Sequence, residues 1–363
     1  MTQEADAFEH RRALAAAALA SHKLDSLLVT HLPNVRYLTG FTGSNAALLL
    51  TETSADLFTD PRYTIQAAQQ VSCRVRVARG PLLERVVARV SKMRLRRLGF
   101  ESSQLRYHQH ALLAESLPAA IKFRPCAHFV EDFRMVKSQA EIGLIRKSCA
   151  TNCAALERAI ETLHPGMHET SFAAEIDYRS RQLGAEGPAF ETIVASGARA
   201  ALPHARPSPI PMNAPTLVLV DMGALQDGYC SDMTRMLHLG KVQPRVASAY
   251  QATLDAQLAA IAAVRSGMTT GDVDKAARKV LKTAGLAARF VHSTGHGLGL
   301  EIHEGPRVGA GDRTVLQAGM VITVEPGVYF ENDFGIRIED TVVVTDDGCE
   351  ILTPTSKDLR VLS

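Results

Sequence analysis

Four acids in two short stretches have the types and the spacing to do chemistry. Asp221 and Asp232 lie in DMGALQDGYCSDMTR, and Glu325 and Glu339 lie in EPGVYFENDFGIRIED. Each pair is carried by a β-rich run that breaks at a polar turn and resumes. The first runs from LVLVD to CSDMTRML through Gln226-Asp227-Gly228, the second from MVITVE to IRIEDTVVV through Glu331-Asn332-Asp333. An antiparallel hairpin sets residues of its two arms side by side, so two facing hairpins would gather four carboxylates. Four buried carboxylates cannot all stay charged without cations. A charge of about −4 is balanced by two divalent ions, which would also activate a water as nucleophile. His296, in HSTGHGLGLEIHEGP between the hairpins, is a fifth candidate ligand. Hard oxygens with one imidazole suit Mn(II), and also Co(II) or Zn(II).

Taken singly, an acid at a turn is most often a solvated surface residue. The neighbours argue against that here. At strand spacing, Thr234 shares a face with Asp232, Thr323 with Glu325, and Arg337 with Glu339. Hydroxyls and a guanidinium beside acids are the groups that orient metal ligands. His296 follows Ser-Thr-Gly and precedes Gly-Leu-Gly, so the backbone can crowd a ligand there. Cys230 shares the strand face of Asp232, though nothing requires it as a ligand.

The elements that must position these residues occur twice. HPGMHETSFAAEID resembles RSGMTTGDVDKAA, and each follows an alanine-rich helical stretch. Each is followed by another helix, then by FETIVASG from Phe190 or FVHSTGHG from Phe290, then by an acid-bearing hairpin. The order helix, Gly-Met turn, helix, strand, hairpin thus recurs after about one hundred residues, and two such units facing each other put the acids at a common centre.

A chain of 363 residues has room for two domains with real cores. Before residue 135, helices alternate with strands such as DSLLVT, AALLLT, VRVA and RLGFES, which predicts a small α/β domain over 1–135. FRMVKSQAEIGLIRK then opens a long helix, capped by Ser138 with Glu141 three residues on, and a catalytic domain over 136–363. Lys plus Arg number 40 and Asp plus Glu 38, a balance that argues against a nucleic-acid surface. The basic run SKMRLRRLGF reads as the solvated face of a helix. No stretch is long and apolar enough to span a membrane. ALAAAALA reads as a first helix rather than a signal peptide. Six cysteines without paired CxxC spacing fit reduced thiols in a cytoplasmic protein.

These blocks resemble the pita-bread metallopeptidases, in the branch containing aminopeptidase P and prolidase, which act at Xaa-Pro bonds. RYLTGFTGSNAALLL and LFTDPRYTIQAAQQ resemble the N-terminal domain of that family. ETIVASGARAALPHARPS, DMGALQDGYCSDMTR, HSTGHGLGLEIHEGPRV, MVITVEPGVY and GIRIEDTVVVT resemble its catalytic blocks in the same order. The resemblance implies an α+β pita-bread catalytic domain with an internal pseudo-two-fold duplication. It implies two metals held by Asp221, Asp232, His296, Glu325 and Glu339, with Asp232 and Glu339 bridging. It further implies His204 and His303 at the scissile peptide, His292 lining the pocket, and Arg337 beside the bridging glutamate. Phe190 and Tyr329 are candidate pocket walls. A commonly dimeric family implies a homodimer.

The expected reaction is hydrolysis before a proline at the second position, a tertiary amide without an N–H. Glu325 would carry the proton, and His204 and His303 would stabilise the tetrahedral intermediate. The blocks TGFTGSN and FTDPRYT favour an Xaa-Pro aminopeptidase acting on longer peptides, with the Xaa-Pro dipeptidase as the alternative. A dipeptidase needs a cation for the free proline carboxylate, and Arg307 in HEGPR is the candidate. Methionine aminopeptidases share the ligand types but lack this N-terminal domain. Creatinase-like enzymes do not keep all five ligands, and a non-catalytic binding module would have lost some.

Overall fold

The computed structural model describes residues 2–362, with side chains from residue 6 onward. Two compact units divide it, Met1–Arg134 and Met135–Ser363. The first contains α1 (Thr2–Ala18), β1 (Ser26–Val29), α2 (Leu32–Thr39), β2 (Ala46–Thr51), β3 (Ala55–Thr59), α3 (Thr64–Gln70), β4 (Arg74–Val77), α4 (Leu82–Val90), β5 (Arg97–Glu101), α5 (Tyr107–Ser116) and β6 (Lys122–Cys126). Its sheet has the order β4-β3-β2-β1-β5-β6, parallel between β1 and β5 and antiparallel between β1 and β2. Central β1 and β2 are buried along their whole length, which is why SLLV and AALLLT are almost continuously apolar. The short α6 (Glu131–Met135) closes this half. Strands β3 and β6 escape a reading by apolar runs. ADLFT is interrupted by Asp56, and KFRPC is an edge strand carrying charges and a proline.

The second unit opens with α7 (Gln139–Ile160), whose cap is reciprocal. Ser138 N donates to Glu141 Oε2 at 2.9 Å, and Glu141 N donates to Ser138 Oγ at 3.4 Å. α8 (Glu169–Gln182), β7 (Gly187–Pro188), β8 (Ile193–Ser196), β9 (Thr216–Met222), β10 (Ala224–Gln226), β11 (Tyr229–Cys230) and β12 (Met233–Leu239) complete the first repeat. The second repeat has α9 (Pro244–Ala263), α10 (Thr270–Thr283), β13 (Gly295–Gly297), β14 (Glu304–Val308), β15 (Val321–Val324), β16 (Gly327–Phe330), β17 (Phe334–Arg337) and β18 (Asp340–Val344), then β19 (Cys349–Ile351) and β20 (Arg360–Leu362). The turns between the paired helices match in detail, with Gly166 at φ 89° and Gly267 at φ 85°. Each helix pair covers its own hairpin. Leu156, Phe172 and Ile176 pack on Val218, Val220 and Leu237, while Ala256, Val273 and Leu281 pack with Ile322, Val324 and Val342.

The two hairpins are not the continuous ribbons the sequence suggests. β9 pairs with β12 and β15 with β18, but each ribbon breaks at its acids, and the tips join other sheets. The β10–β11 tip pairs with β7, and β16–β17 forms its own two-stranded sheet. Pro326, directly after Glu325, has no N–H to give to a ladder. At the first break, Ser231 Oγ takes the Ala224 N–H at 3.0 Å in place of a strand partner. Asp232 sits one residue before β12, and Glu325 and Glu339 sit one residue outside the Val324–Asp340 pair. An acid at such a break is freed from the ladder and can turn inward.

A buried ion pair ties the two hairpins together beneath these breaks. Arg235 Nη2 donates to Asp340 Oδ1 at 2.7 Å, with side chains 3% and 0% exposed. Gln257, Thr353 and Lys357 also donate to Asp340. Arg235 Nη1 donates to the carbonyls of Thr234 and Glu339, one on each hairpin. Thr341 Oγ1 reaches the Asp232 carbonyl at 2.8 Å. Removing one partner of such a pair leaves the other charged and unpaired, at a cost of about 3–5 kcal/mol. Asp340→Ala is therefore expected to lower the unfolding free energy by that order, read as a fall in the urea midpoint of about 1 M or more. A midpoint within experimental error of the wild type would show that the pair does not hold the hairpins.

Candidate metal centre

All four acids and His296 face one cavity of about 550 Å³. Asp221 comes from β9, Asp232 and Glu339 from the residues just before β12 and β18, Glu325 from the residue after β15, and His296 from β13. Asp232, His296 and Glu339 form the tightest group, with donor atoms within 4.8 Å of one another. His296 Nε2 is 3.5 Å from both Asp232 Oδ2 and Glu325 Oε1. The glycines around it are required by close approach. A Cβ on Gly295 would meet Thr323 O at 2.0 Å, and one on Gly297 would meet Gly305 O at 2.1 Å.

The surroundings orient each acid. Thr234 Oγ1 donates to Glu339 Oε2 at 2.7 Å, and Thr323 Oγ1 to Glu325 Oε1 at 3.3 Å. His296 Nδ1 bonds the Gly297 carbonyl at 3.0 Å, so that nitrogen carries the proton and Nε2 keeps its lone pair toward the acids. Burial, with the neighbouring His303, holds the His296 pKa down at about 4. The imidazole is thus neutral at pH 7, so its 3.5 Å contacts to the two carboxylates are not an ion pair. Arg337 meets Glu339 through the shared Thr234 hydroxyl and pairs directly with Asp221. Its Nη2 donates to Asp221 Oδ2 at 2.6 Å, and its Nε to Thr234 Oγ1 at 3.1 Å.

The charge balance of the chain alone is unfavourable here. Burial, reinforced by the charges of Glu339, Asp221 and Glu325, pushes Asp232 well above the carboxylate range. Glu339 is pushed up in the same way, and burial lifts Glu325 to about 8. Asp221 Oδ1 is buried and takes no hydrogen bond among the described residues. A buried acceptor without a donor, amid carboxyls that cannot all ionise, fits divalent cations held by this set.

Three further histidines come together on the same wall, since His204, His292 and His303 all line the cavity. Burial, then the nearby His204, depresses His303. Both ring nitrogens of His292 are engaged, Nδ1 with Ser293 O at 2.7 Å and Nε2 with Tyr329 Oη at 2.9 Å. His292 is therefore a fixed wall rather than a free proton donor. Tyr329 was expected to line the pocket, but it lies behind that wall. Its hydroxyl is held between Arg337 Nη1 at 2.8 Å and His292, and it is not part of the cavity lining. Cys230 is buried in β11 and also stays off the cavity. Phe190 and Arg307 do line it, and Arg307 Nε donates to Ser293 Oγ at 2.9 Å. Glu191, Ser293, Ile302 and Arg206 line it as well, all unmarked in the sequence. The signal available for them was adjacency, because each lies within two residues of an expected site residue.

Residues 143–346 match metallopeptidase family M24, and residues 11–136 match the Creatinase/Prolidase N-terminal domain. An Xaa-Pro dipeptidase of Pyrococcus horikoshii is 37% identical over 93% of this chain and 95% of its own length. The structure of an Xaa-Pro dipeptidase from Bacillus anthracis superposes with a TM-score of 0.95 at 33% identity, covering 98% of this chain and all of that one. An X-Pro aminopeptidase from Thermotoga maritima gives a TM-score of 0.88 at 34% identity, covering 94% of this chain and 98% of that one. With its fold shared across nearly the whole length of these structures and its acids gathered at one cavity, the chain belongs to metallopeptidase family M24 and is a metal-dependent peptidase.

Proposed function

We propose that the chain hydrolyses the bond between an N-terminal residue and a following proline, and that its preferred substrate is the Xaa-Pro dipeptide. The observation that carries the reading is the buried cluster of Asp221, Asp232, His296, Glu325 and Glu339 at the cavity wall. The sequence blocks favoured longer peptides. Relatives named Xaa-Pro dipeptidase, similar along nearly their whole length, move the preference to the dipeptide. An aminopeptidase acting on longer chains stays as the second reading, because the Thermotoga maritima neighbour is named one.

In this reading the five residues hold two divalent ions, Mn(II) first, with Co(II) or Zn(II) as alternatives. Ions bound there supply Lewis acidity and a water that ionises near neutral pH. Glu325 accepts the proton from the nucleophile and returns it to the leaving proline nitrogen. His204 and His303 donate to the oxygen that becomes negative as the carbonyl turns tetrahedral. Phe190 and Ile193 offer apolar surface to the pyrrolidine ring. Arg307, whose Nε donates to Ser293 Oγ at the cavity wall, meets the substrate carboxylate. A homodimer in the cytoplasm completes the proposal. Six free cysteines suit a reducing compartment, and sedimentation at micromolar protein tests the dimer.

Comparing Ala-Pro with Ala-Pro-Ala tests the substrate. Ala-Pro is expected to be the better one, and Arg307→Ala to raise its KM about tenfold or more while changing Ala-Pro-Ala less. Preferential cleavage of Ala-Pro-Ala, untouched by Arg307→Ala, would return the assignment to an aminopeptidase.

A further inference from the structure

The Gly-Met turns that mark the duplication each lead into a helix whose first turns carry a buried acid outside the metal cluster. Glu169 on α8 is 0% exposed and Asp274 on α10 is 1% exposed. Glu169 Oε1 accepts from Ser196 N at 2.7 Å and from Ser196 Oγ at 2.8 Å. Its Oε2 accepts from Ser208 N and Oγ at 3.0 and 2.7 Å, and from Arg199 Nε at 3.0 Å. One carboxylate therefore closes both ends of the loop that carries His204. Arg199 in turn donates through Nη2 to the Arg206 carbonyl, two residues past His204. On the other side of His204, the Pro203 carbonyl is held by Arg337 Nη1 at 3.1 Å.

The second repeat uses the same parts. Asp274 Oδ2 accepts from Arg278 Nε at 2.7 Å, and Oδ1 accepts from Thr294 Oγ1 at 2.9 Å. Arg278 Nη2 donates to the His292 carbonyl at 2.6 Å, and Nη1 to that of Phe290 at 3.2 Å. The Thr294 carbonyl takes the Glu325 N–H at 2.7 Å, which links this acid to the backbone of a candidate ligand. We infer that Glu169 and Asp274 are paired positioning residues, each holding an arginine against a backbone carbonyl of a histidine-bearing loop, Arg199 on that of Arg206 two residues past His204 and Arg278 on that of His292 itself. A guanidinium fixed by a buried carboxylate has little freedom left, so the carbonyl it grips is fixed too. Displacing a catalytic group by about 1 Å can cost on the order of 10²-fold in rate, so a modest slackening of either loop is measurable.

The inference rests on the role proposed above for His204, and double-mutant cycles on the metal-loaded full chain keep the two apart. The arginines are the variants of choice, being 29% and 34% exposed, whereas replacing the fully buried acids risks the fold. Arg199→Gln is expected to lower kcat on Ala-Pro about tenfold, with KM changed less than about twofold. In a His204→Ala background the same change should cost less than about twofold. Arg278→Gln should couple to His292→Ala in the same manner. Arg199→Gln with full activity, or with the same loss in both backgrounds, overturns the inference. Thermal melts identify any variant whose loss comes from unfolding; for it, Arg199→Lys, which keeps the charge, takes the place of Arg199→Gln in the cycle under the same criteria. Wild-type kcat in His204→Ala alone would instead strike down the role of that histidine.

Discussion

Chelation is expected to remove hydrolysis of Xaa-Pro peptides, and added Mn(II) to restore it. Glu339→Ala is expected to lose at least one metal equivalent and to lower kcat/KM about 10³-fold or more, because several kcal/mol of electrostatic stabilisation depend on the set it completes. Glu339 is 1% exposed, shares the 4.8 Å group with Asp232 and His296, and receives the Thr234 hydroxyl. Its removal leaves that hydroxyl without its acceptor and the other acids without a shared partner. Elemental analysis of the purified variant, run beside its kinetics, reads both consequences. A metal-free wild-type preparation with full peptidase activity would end the two-ion reading, and a Glu339→Ala protein with normal metal content and rate would remove Glu339 from the centre.

Much of this site was legible in the chain because each element of it is local. The acids sit in their own strand-and-turn signatures, His296 is bracketed by glycines, and the Ser138 and Glu141 cap is a three-residue pattern. The duplication was visible as a repeated order of elements. What escaped depends on contacts between distant residues. Strand periodicity puts Arg337 on one face with Glu339, yet the strand breaks between them and the guanidinium also crosses to Asp221 on the other hairpin, 116 residues away. Tyr329 is an aromatic beside the acids, and only the arrangement of Arg337 and His292 shows that its hydroxyl is spent behind the wall. The breaks in the two ribbons were hidden for a related reason. Strand periodicity runs across them, while the pairing that decides the sheet belongs to β7 in one case and to an isolated hairpin in the other. Asp340, next to Glu339 in sequence, reads as one more acid until Arg235 is found against it. Substrate length was the least legible feature, because in the proposed reading it turns on where Arg307 stands relative to the reacting bond rather than on any motif.

Without metal, the protein is expected to lose stability as the pH rises from about 6.5 to 8. Burial lifts Glu325 to about 8, and Asp232 and Glu339 are raised well above the carboxylate range by burial and by neighbouring carboxylates, Glu339 and Asp221 for the first, Glu325 and Asp221 for the second. In the unfolded chain all three are ionised above pH 6.5. The native state then holds more protons than the unfolded state, so stability falls with rising pH, by about 1.4 kcal/mol per pH unit for each extra proton held. Below pH 6.5 an opposite contribution enters. His292 and His296 are kept neutral down to about 4 by burial, while the unfolded histidines take up protons, which offsets part of the carboxylate contribution. The metal-free protein should therefore lose stability steeply above pH 6.5, where the carboxylates act alone, and more gently below it, where the two contributions oppose each other. Urea midpoints measured in chelator at half-unit steps between pH 5 and 8 resolve both limbs. With saturating Mn(II), cations replace the protons on the carboxylates, so the alkaline limb should flatten. A metal-free midpoint that holds level or climbs between pH 6.5 and 8 would mean that the carboxylates are not crowded together as the cavity places them.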